Sequence, residues 1–293
     1  MGDTDELFEV RNNFYLGNYA LCIVEAQNAA VSSDEDKQDR DWFIHRSYVG
    51  QGNYGLVQSE VTDASPLASR AIKVLATYLG GDRAAALAAV ASWADDGEAK
   101  ASAAVQLAAG TIHFHEQNYD EAMRCCHGAA PSLEQDALMV QCYLAVNRVD
   151  LAQKLVERMA SKDDDATLTQ LATAWVNLAV GGEKIQDAFF IFQELGEKYS
   201  ETVMLLNGKA ICLMQQHKFD EAEKVLMASL QRQPSHAETL MNLVVCNEHQ
   251  GKAPDAIARN RSQLVSVAGE HEWTRKYNAA VANFDRLAAA SAM

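Results

Sequence analysis

Two short stretches of this sequence combine residue types that could carry chemistry. His113-Phe114-His115 holds two imidazoles, and Gly50-Gln51-Gly52-Asn53-Tyr54-Gly55 has the GxGxxG spacing of a dinucleotide-binding loop. Residues two apart on a helix point about 200° from each other, so these histidines cannot bind one metal ion. A dinucleotide loop must follow a strand, whereas Trp42 to Tyr48 has the pattern of a helix. We therefore expect His113 to be packed or at the surface, and the glycine-rich stretch to be an interhelical turn.

The other candidate motifs lack the spacing that their chemistry requires. Asp163-Asp164-Asp165 does not have the DDxxD spacing that places two carboxylates on one helical face, and no GxSxG nucleophile motif occurs. The cysteines form no CxxC pair and lie mostly in amphipathic helical stretches, which predicts buried free thiols and a reducing compartment. They are Cys22, Cys125, Cys126, Cys142, Cys212 and Cys246. The sequence thus predicts no catalytic residue, cofactor or metal site, and the protein is not expected to be an enzyme.

Charge and composition narrow the possible partners. The formal net charge is −15, which repels phosphate backbones and anionic lipid headgroups and steers basic partners towards the chain. The charge therefore predicts no nucleic-acid partner, and the lack of catalytic motifs predicts no small-molecule substrate. The stretch Met1 to Glu6 is acidic and lacks the features of a signal peptide, and no apolar run approaches the ~18 residues of a membrane helix. These features predict a cytoplasmic protein that does not insert into membranes.

The elements that position these residues are predicted by internal repetition. Asn118 to Met123 and Lys218 to Glu223 share an aromatic residue three positions before an alanine. Alanines in similar settings recur at Ala152, Ala188, Ala222 and Ala256, with spacings of 36, 34 and 34 residues. A period near 34 is typical of tetratricopeptide helical hairpins, which stack because one hairpin cannot bury its own apolar face. The predicted fold is all-α, a right-handed superhelical solenoid of tetratricopeptide-like hairpins with a C-terminal capping helix.

We expect a single solenoid over residues 1–293, in which a short turn joins two antiparallel helices in each hairpin. Turns are indicated by Gly17-Asn18-Tyr19, Gly52-Asn53-Tyr54 and Gln117-Asn118-Tyr119. The hairpins are expected near 5–31, 38–62, 66–95, 98–129, 133–160, 166–200, 203–233 and 237–267, with the capping helix near 271–290.

The repeat around 203–236 is the most regular. Ala210 and Ala222 are small residues where its two helices should cross, and Phe219 should fill the gap beneath them. Pro234 should end the second helix, because proline cannot continue a helix and disfavours helical backbone at the preceding residue. The capping helix is expected to carry Trp273, Tyr277, Phe284 and Leu287 at helical spacing.

Several stretches resemble a known family. Asp5 to Tyr19, followed by Glu25-Ala26-Gln27, is similar to the opening of the coatomer epsilon subunit family. The similarity continues at Phe192 to Leu195, Leu205 to Ala210 and Glu238 to Leu243, and ends at residues 284–287, so it covers essentially the whole chain.

The resemblance implies a non-catalytic subunit of the coat that forms vesicles for Golgi-to-endoplasmic-reticulum and intra-Golgi traffic. It also implies a partner, the C-terminal domain of the alpha coat subunit, which the superhelix would wrap as a heterodimer within the coatomer complex. Such a protein would be cytoplasmic and peripherally associated with Golgi membranes and coated vesicles through the coat complex.

In a superhelix of this type the first helix of each hairpin lines the concave groove. This rule predicts a partner-binding groove of apolar and neutral polar residues, suited to an extended or β-hairpin segment. The predicted groove residues are Leu107, Thr111, Phe114, Gln170, Thr173, Asn177, Val180, Met204, Asn207, Ile211 and Met214. The alternative is a cytosolic tetratricopeptide adaptor or cochaperone for a different peptide, which would need a basic clamp that these positions lack. A helical-toroid enzyme would need convergent acids or a metal set in the groove, and neither is visible.

Overall fold

The computed structural model describes residues 5–128 and 132–291, and throughout these ranges the regular structure is helical, without strands. The all-α class predicted from the sequence is therefore confirmed. The helices are α1 (Phe8–Tyr15), α2 (Tyr19–Asn28), α3 (Asp34–Gly50), α4 (Tyr54–Glu60), α5 (Leu67–Leu79), α6 (Arg83–Trp93), α7 (Gly97–Ala101), α8 (Ala103–His115), α9 (Tyr119–Gly128), α10 (Leu133–Ala145), α11 (Val149–Lys162), α12 (Thr167–Val180), α13 (Lys184–Lys198), α14 (Val203–Gln215), α15 (Phe219–Arg232), α16 (Ala237–His249), α17 (Pro254–Ala268) and α18 (Glu272–Ser291).

Most of these helices form hairpins of a first and a second helix. The pairs are α1/α2, α3/α4, α5/α6, α8/α9, α10/α11, α12/α13, α14/α15 and α16/α17, with the short α7 before α8 and α18 after the last pair. Several first helices begin at a hydroxyl side chain that accepts a backbone N–H of the first turn, as at Ser33, Ser102, Ser132 and Thr202. Such caps satisfy donors that the helix itself leaves unpaired.

The turn inside each hairpin contains a residue with left-handed backbone. In the described turns these residues are Gly17, Gly52, Gly81, Gln117, Asn147, Gly181, His217 and Gly251. In the first hairpin the next residue, Asn18, donates its N–H to the carbonyl of Asn13 at 2.8 Å. This bond is the Schellman ending of a helix, which reverses the chain and for which glycine is the least strained choice.

Small residues allow the helices to approach closely. Ala152, Ala188 and Ala222 of the sequence repeat are fully buried, whereas Ala256 is half-buried. Glycine serves the same purpose at Gly208 in α14, where a Cβ would lie 2.7 Å from the buried ring of Phe192.

Phe219 departs from its expected place. Its ring is only partly buried, and it stacks on the imidazole of His249 with 4.8 Å between ring centroids and 6° between planes. Phe219 therefore does not fill the gap beneath Ala210 and Ala222, as the repeat pattern predicted. Pro234 does follow the end of α15, two residues after Arg232.

The chain divides into two compact units, Met1–Ile191 and Phe192–Met293, and the boundary falls within α13. In the first unit an apolar cluster around Trp42, Phe43 and Ile72 forms part of the core. The second unit contains a cluster of Leu240, Met241 and Leu264. The single solenoid over residues 1–293 stays a prediction.

The C-terminal helix α18 covers this last cluster only at its beginning. Trp273 packs against the cluster, and its indole stacks on Tyr277 with ring centroids 5.1 Å apart. Further along the helix Phe284 is 71% exposed. The capping role expected for the apolar face of α18 is therefore played by Trp273 rather than by Phe284.

Candidate protein-binding surface

In the first unit the first helices of the hairpins pack side by side and return to their starting point. α1 packs on α3, α3 on α5, α5 on α8, α8 on α10 and α10 on α12, and α12 packs on α1. We call α1, α3, α5, α8, α10 and α12 the first-helix ring. Because the last helix of this cycle contacts the first, these six helices form a closed ring.

The ring closes through polar contacts between residues far apart in the sequence. The hydroxyl of Thr167, at the start of α12, donates to the buried side-chain oxygen of Asn12 in α1 at 2.6 Å. Arg46 in α3 donates to the carboxylate of Glu134, in the first turn of α10, at 2.7 Å. Tyr15 in α1 also hydrogen-bonds to Glu134, and burial raises the pKa of its phenol well above the usual value. We call Asn12, Tyr15, Arg46, Glu134 and Thr167 the clasp.

A cavity of about 200 Å³ lies among the ring helices α1, α3, α5 and α8. Its lining residues come from the first three hairpins and from α8: Phe14, Tyr19, Trp42, Arg46, Val49, Gly50, Ile72, Leu75, Leu107, Ala108 and Thr111. The guanidinium of Arg46 lies 4.3 Å from the ring centroid of Phe14 and 5.1 Å from that of Trp42. Stacking on aromatic faces and pairing with Glu134 fix this arginine, so its charge is not available as an open anion site.

The predicted groove residues of the first unit occupy different environments. Leu107 and Thr111 line the cavity, although Leu107 is itself buried in the surrounding core. Phe114 is partly buried, and its ring packs edge-on against Tyr119 at a centroid distance of 5.5 Å. The remaining residues lie on α12, where Gln170, Thr173 and Asn177 are partly buried and Val180 is exposed.

In the second unit two predicted groove residues lie together. Ile211 and Met214 line an open pocket of about 390 Å³. The other lining residues are Gln215, His217, Phe219, Asn242 and His249. Met204, on the same helix, is partly buried. The pocket is mainly apolar and aromatic, which suits an apolar side chain of a protein partner.

Asn207 has an internal role that the groove prediction did not anticipate. It is buried, and its amide donates to the hydroxyl of Thr239 at 2.8 Å and to the carbonyl of Val203 at 2.8 Å. Its oxygen accepts from Asn242 at 3.0 Å. Because these bonds tie α14 to α16 inside the unit, Asn207 stabilises the fold, and it is not retained among the proposed partner contacts.

The motifs that could have carried chemistry have structural roles. Gly52 lies in the turn between α3 and α4 with φ of 79°, and the residues before it belong to α3, not to a strand. Within residues 5–128 and 132–291, no group of histidine, cysteine and acidic residues could hold a metal ion. Burial raises the pKa of Cys126 and of Cys212 to about 12, so these thiols are not activated as nucleophiles.

Sequence reasoning missed the aromatic lining of the ring. Phe14 and Trp42 line the cavity with Arg46, whereas the predicted groove residues begin with Leu107 in α8. The signal was present, because Trp42 and Arg46 are four residues apart and therefore lie on one face of α3. The partner of Arg46, Glu134, is 88 residues away and could not be found from local spacing.

Comparison with known proteins identifies the family. The family model described as "Coatomer epsilon subunit" matches residues 3–292. The chain belongs to the coatomer epsilon subunit family. It is 40% identical over 288 residues to coatomer subunit epsilon-1 of Arabidopsis thaliana, covering 98% of this chain and 97% of that protein. The coatomer subunit epsilon of Dictyostelium discoideum is 34% identical over 291 residues, covering 96% of this chain and 97% of that protein.

Similarity to a solved structure supports the fold of this coatomer epsilon family member. The "Crystal structure of APC/C hetero-tetramer Cut9-Hcn1" contains a chain that matches with a TM-score of 0.61 at 10% identity. The match covers 90% of this chain and 52% of that chain, so this chain spans about half its length. The tetratricopeptide-like helical-repeat fold predicted from the sequence is thereby confirmed.

Membership of the coatomer epsilon family makes the protein a vesicle-coat subunit. In the part of the chain that the structure describes, none of the helices combines the length and apolar character needed to cross a membrane.

Proposed function

We propose that this coat subunit is a non-catalytic scaffold that holds a segment of the alpha coat subunit's C-terminal domain. In this proposal it supports Golgi-to-endoplasmic-reticulum and intra-Golgi transport, and it reaches Golgi membranes and coated vesicles from the cytoplasm through the coat complex. The observation that carries the proposal is the first-helix ring with its aromatic-lined cavity, because a partly open apolar space of this kind suits a large apolar side chain of a protein segment.

The chemistry of the ring interior indicates what kind of segment fits. Phe14, Trp42 and Leu107 offer apolar contact, while the Thr111 hydroxyl, which donates to the Leu107 carbonyl at 2.8 Å, keeps an acceptor lone pair. Burying one large apolar side chain there contributes about 1.5–3 kcal/mol. An extended or β-hairpin segment presents alternate side chains in this way while its backbone bonds to neutral polar groups.

A second contact surface is proposed on the second unit. Ile211 and Met214 are partly buried at an open pocket, and a partner side chain would complete their burial. The other predicted groove positions remain proposed contacts: Phe114, Gln170, Thr173, Asn177 and Val180 in the first unit and Met204 in the second. A permanent coat contact is expected to bury on the order of 2,000 Å² or more in total, so several surfaces are needed.

The alternative of a cochaperone-like adaptor is less well supported. A carboxylate clamp needs cationic side chains free to meet a terminal carboxylate. Arg46, which lines the ring cavity, is already paired with Glu134, and both side chains are less than one-fifth exposed, at 16% and 18%. The predicted groove positions contain no lysine or arginine.

Co-purification tests the proposal. The full chain is mixed with the C-terminal domain of the alpha coat subunit from the same organism and passed through gel filtration. A stable 1:1 complex supports the proposal. Absence of a complex, with helical circular dichroism unchanged, would contradict it and favour an adaptor for another peptide.

A matched pair of methionine variants tests the surface of the second unit. Met214→Glu places a charge at the open pocket, whereas Met227→Glu places the same charge on the exposed side of α15, where Met227 is 46% exposed. We expect Met214→Glu to weaken binding about tenfold or more, equivalent to at least ~1.4 kcal/mol, and Met227→Glu to leave it unchanged. Titration calorimetry measures both, and equal effects would exclude this pocket from the interface.

A further inference from the structure

The first-helix ring contains a seam that differs from its other joints. Neighbouring ring helices such as α3 and α5, or α8 and α10, belong to consecutive hairpins. At the seam, in contrast, Asn12 and Thr167 meet across 155 residues of sequence. Arg46 and Glu134 likewise join residues 88 apart. The seam can therefore separate while every hairpin turn and every consecutive joint stays intact.

The helices that meet at the seam also carry unsatisfied polar atoms. Both polar side-chain atoms of Gln135 in α10, the amide nitrogen of Asn12 in α1 and the hydroxyl of Thr169 in α12 are buried without a partner among the described residues. Gln135 is 2% exposed. Burying a polar group without a hydrogen bond costs free energy, which is recovered when the group meets water or a new partner. Helices α1, α10 and α12 therefore carry buried polar atoms whose desolvation is not compensated by hydrogen bonds.

The closed ring restricts how a partner reaches its interior. A segment whose two ends continue into a folded domain can enter a ring only tip first, as a doubled strand, or from the side. The cavity of about 200 Å³ is smaller than the ~300–1,000 Å³ of pockets that hold drug-sized ligands, so a doubled strand does not fit unless the ring widens. Widening requires one joint to open, and the seam is the joint whose opening leaves every pair of consecutive hairpins in contact.

We propose that the first unit opens at the clasp, admits the partner segment sideways and closes around it. This inference rests on the proposed function, since it assumes a partner segment inside the ring. Free chains spend only part of their time open, so the apparent affinity is reduced by the fraction that is open. Once the clasp has closed, the partner leaves only when the clasp opens again.

A cross-link across the seam tests this opening and closing of the clasp, which we call the gate. Asn12→Cys with Thr167→Cys is made in a Cys125→Ala background, because Cys125 is the partly exposed native cysteine in the described part of the chain. A short bifunctional thiol reagent then joins positions 12 and 167. The matched control is Gln58→Cys with Thr77→Cys, whose side chains lie 3.5 Å apart on the consecutive helices α4 and α5. Binding to the C-terminal domain of the alpha coat subunit is followed by surface plasmon resonance before and after cross-linking.

The result expected is loss of association when the seam is cross-linked, measured against the same variant before cross-linking, with both forms of the control binding alike. Cross-linking the preformed complex should in turn abolish its dissociation. Unchanged association with a linked seam overturns the gate while leaving the proposed function intact. If the unmodified chain itself does not bind, the proposed function fails and the gate fails with it.

Hydrogen exchange of the unmodified chain gives a test that does not depend on folding of the variants. Local opening of the seam predicts faster amide exchange in α1 and in the first turn of α12 than in α8, which lies elsewhere in the same ring. Equal protection of these segments would overturn the gate.

Discussion

The close approach of Gly208 to Phe192 makes Gly208→Ala a sharp test of packing in the second unit. A Cβ at this position would lie 2.7 Å from two carbons of the Phe192 ring and 2.9 Å from a third. Ordinary contact begins near 3.4 Å, so the ring must move by about 0.7 Å. Phe192 is buried, and a ring held on all sides cannot retreat without displacing its neighbours.

Two opposing effects set the magnitude. Alanine in the middle of α14 gains about 1 kcal/mol of helix propensity over glycine. Overpacking a tight core costs typically ~1–3 kcal/mol, and a clash with three ring atoms belongs in the upper part of that range. We therefore expect Gly208→Ala to lower the free energy of unfolding by about 1–2 kcal/mol.

Urea denaturation measured by circular dichroism gives the free energy of unfolding, and hydrogen exchange of α14 and α15 assigns the transition to the second unit. The control is Gly55→Ala in α4, where a Cβ meets nothing within 4 Å. This variant should be neutral or slightly stabilised. Phe192→Leu should make room for the new methyl group, so the double variant should lose less stability than the sum of the two single variants.

A neutral or stabilising Gly208→Ala would refute the reasoning, because helix propensity would then act unopposed. Additive effects in the Phe192→Leu pair would show that the loss has a cause other than this contact.

Three further predictions concern the second unit. Ala222→Arg should lower the free energy of unfolding by ~3 kcal/mol or more, because Ala222 is fully buried and the new side chain adds both overpacking and a buried charge; an unchanged thermal midpoint would contradict this. Phe219→Ala should cost about 1–2 kcal/mol, less than the ~3–5 of a fully buried ring, because Phe219 is partly exposed and stacked on His249; a double-mutant cycle with His249→Ala measures the stacking contribution. Burial lowers the pKa of His236, whose Nδ1 accepts from the Thr239 N–H at 3.3 Å. The unfolded chain therefore binds this proton more readily, so its contribution to stability is complete above pH ~6.5 and declines as the pH falls below it. His236→Asn keeps a capping acceptor and should remove this part of the pH dependence; an identical slope in both proteins would exclude His236 as its source.

The helices and their turns could be predicted because they depend on local sequence. Gly17, Gly52 and Gln117 marked turns that the structure contains, each with left-handed backbone. Alanines at fixed spacing, such as Ala152 and Ala222, marked helix crossings because only a small side chain fits there. Each of these features is determined by residues within a single hairpin. Sequence patterns are informative over that range.

The side-chain environments were less predictable. Asn207 lies at a position that the groove rule predicted, but its side-chain amide group forms hydrogen bonds with Thr239 and Asn242 of the next hairpin. Phe219 matched the aromatic position of the repeat, but its ring stacks on His249 at the edge of the pocket. Both outcomes depend on the identity of residues in the neighbouring hairpin, and a pattern read along one hairpin does not include them.

The first-helix ring could not be predicted from the sequence. Its closure depends on the small rotation that each hairpin adds relative to the previous one, summed until α12 returns to α1. Neither Asn12 nor Thr167 belongs to a recognisable motif, and their pairing becomes visible only in three dimensions.

Ring closure also constrains how this architecture can change in evolution. In an open array of repeats, a hairpin can be gained or lost, because each repeat contacts only its neighbours and the array simply becomes longer or shorter. Here the helix that meets α1 must arrive at the right angle and height for Thr167 to reach Asn12. Inserting or deleting one hairpin between α3 and α10 would displace α12 relative to α1 by a whole repeat. The number of hairpins in the first unit is therefore fixed by geometry, and length variation should be confined to turns on its outer side.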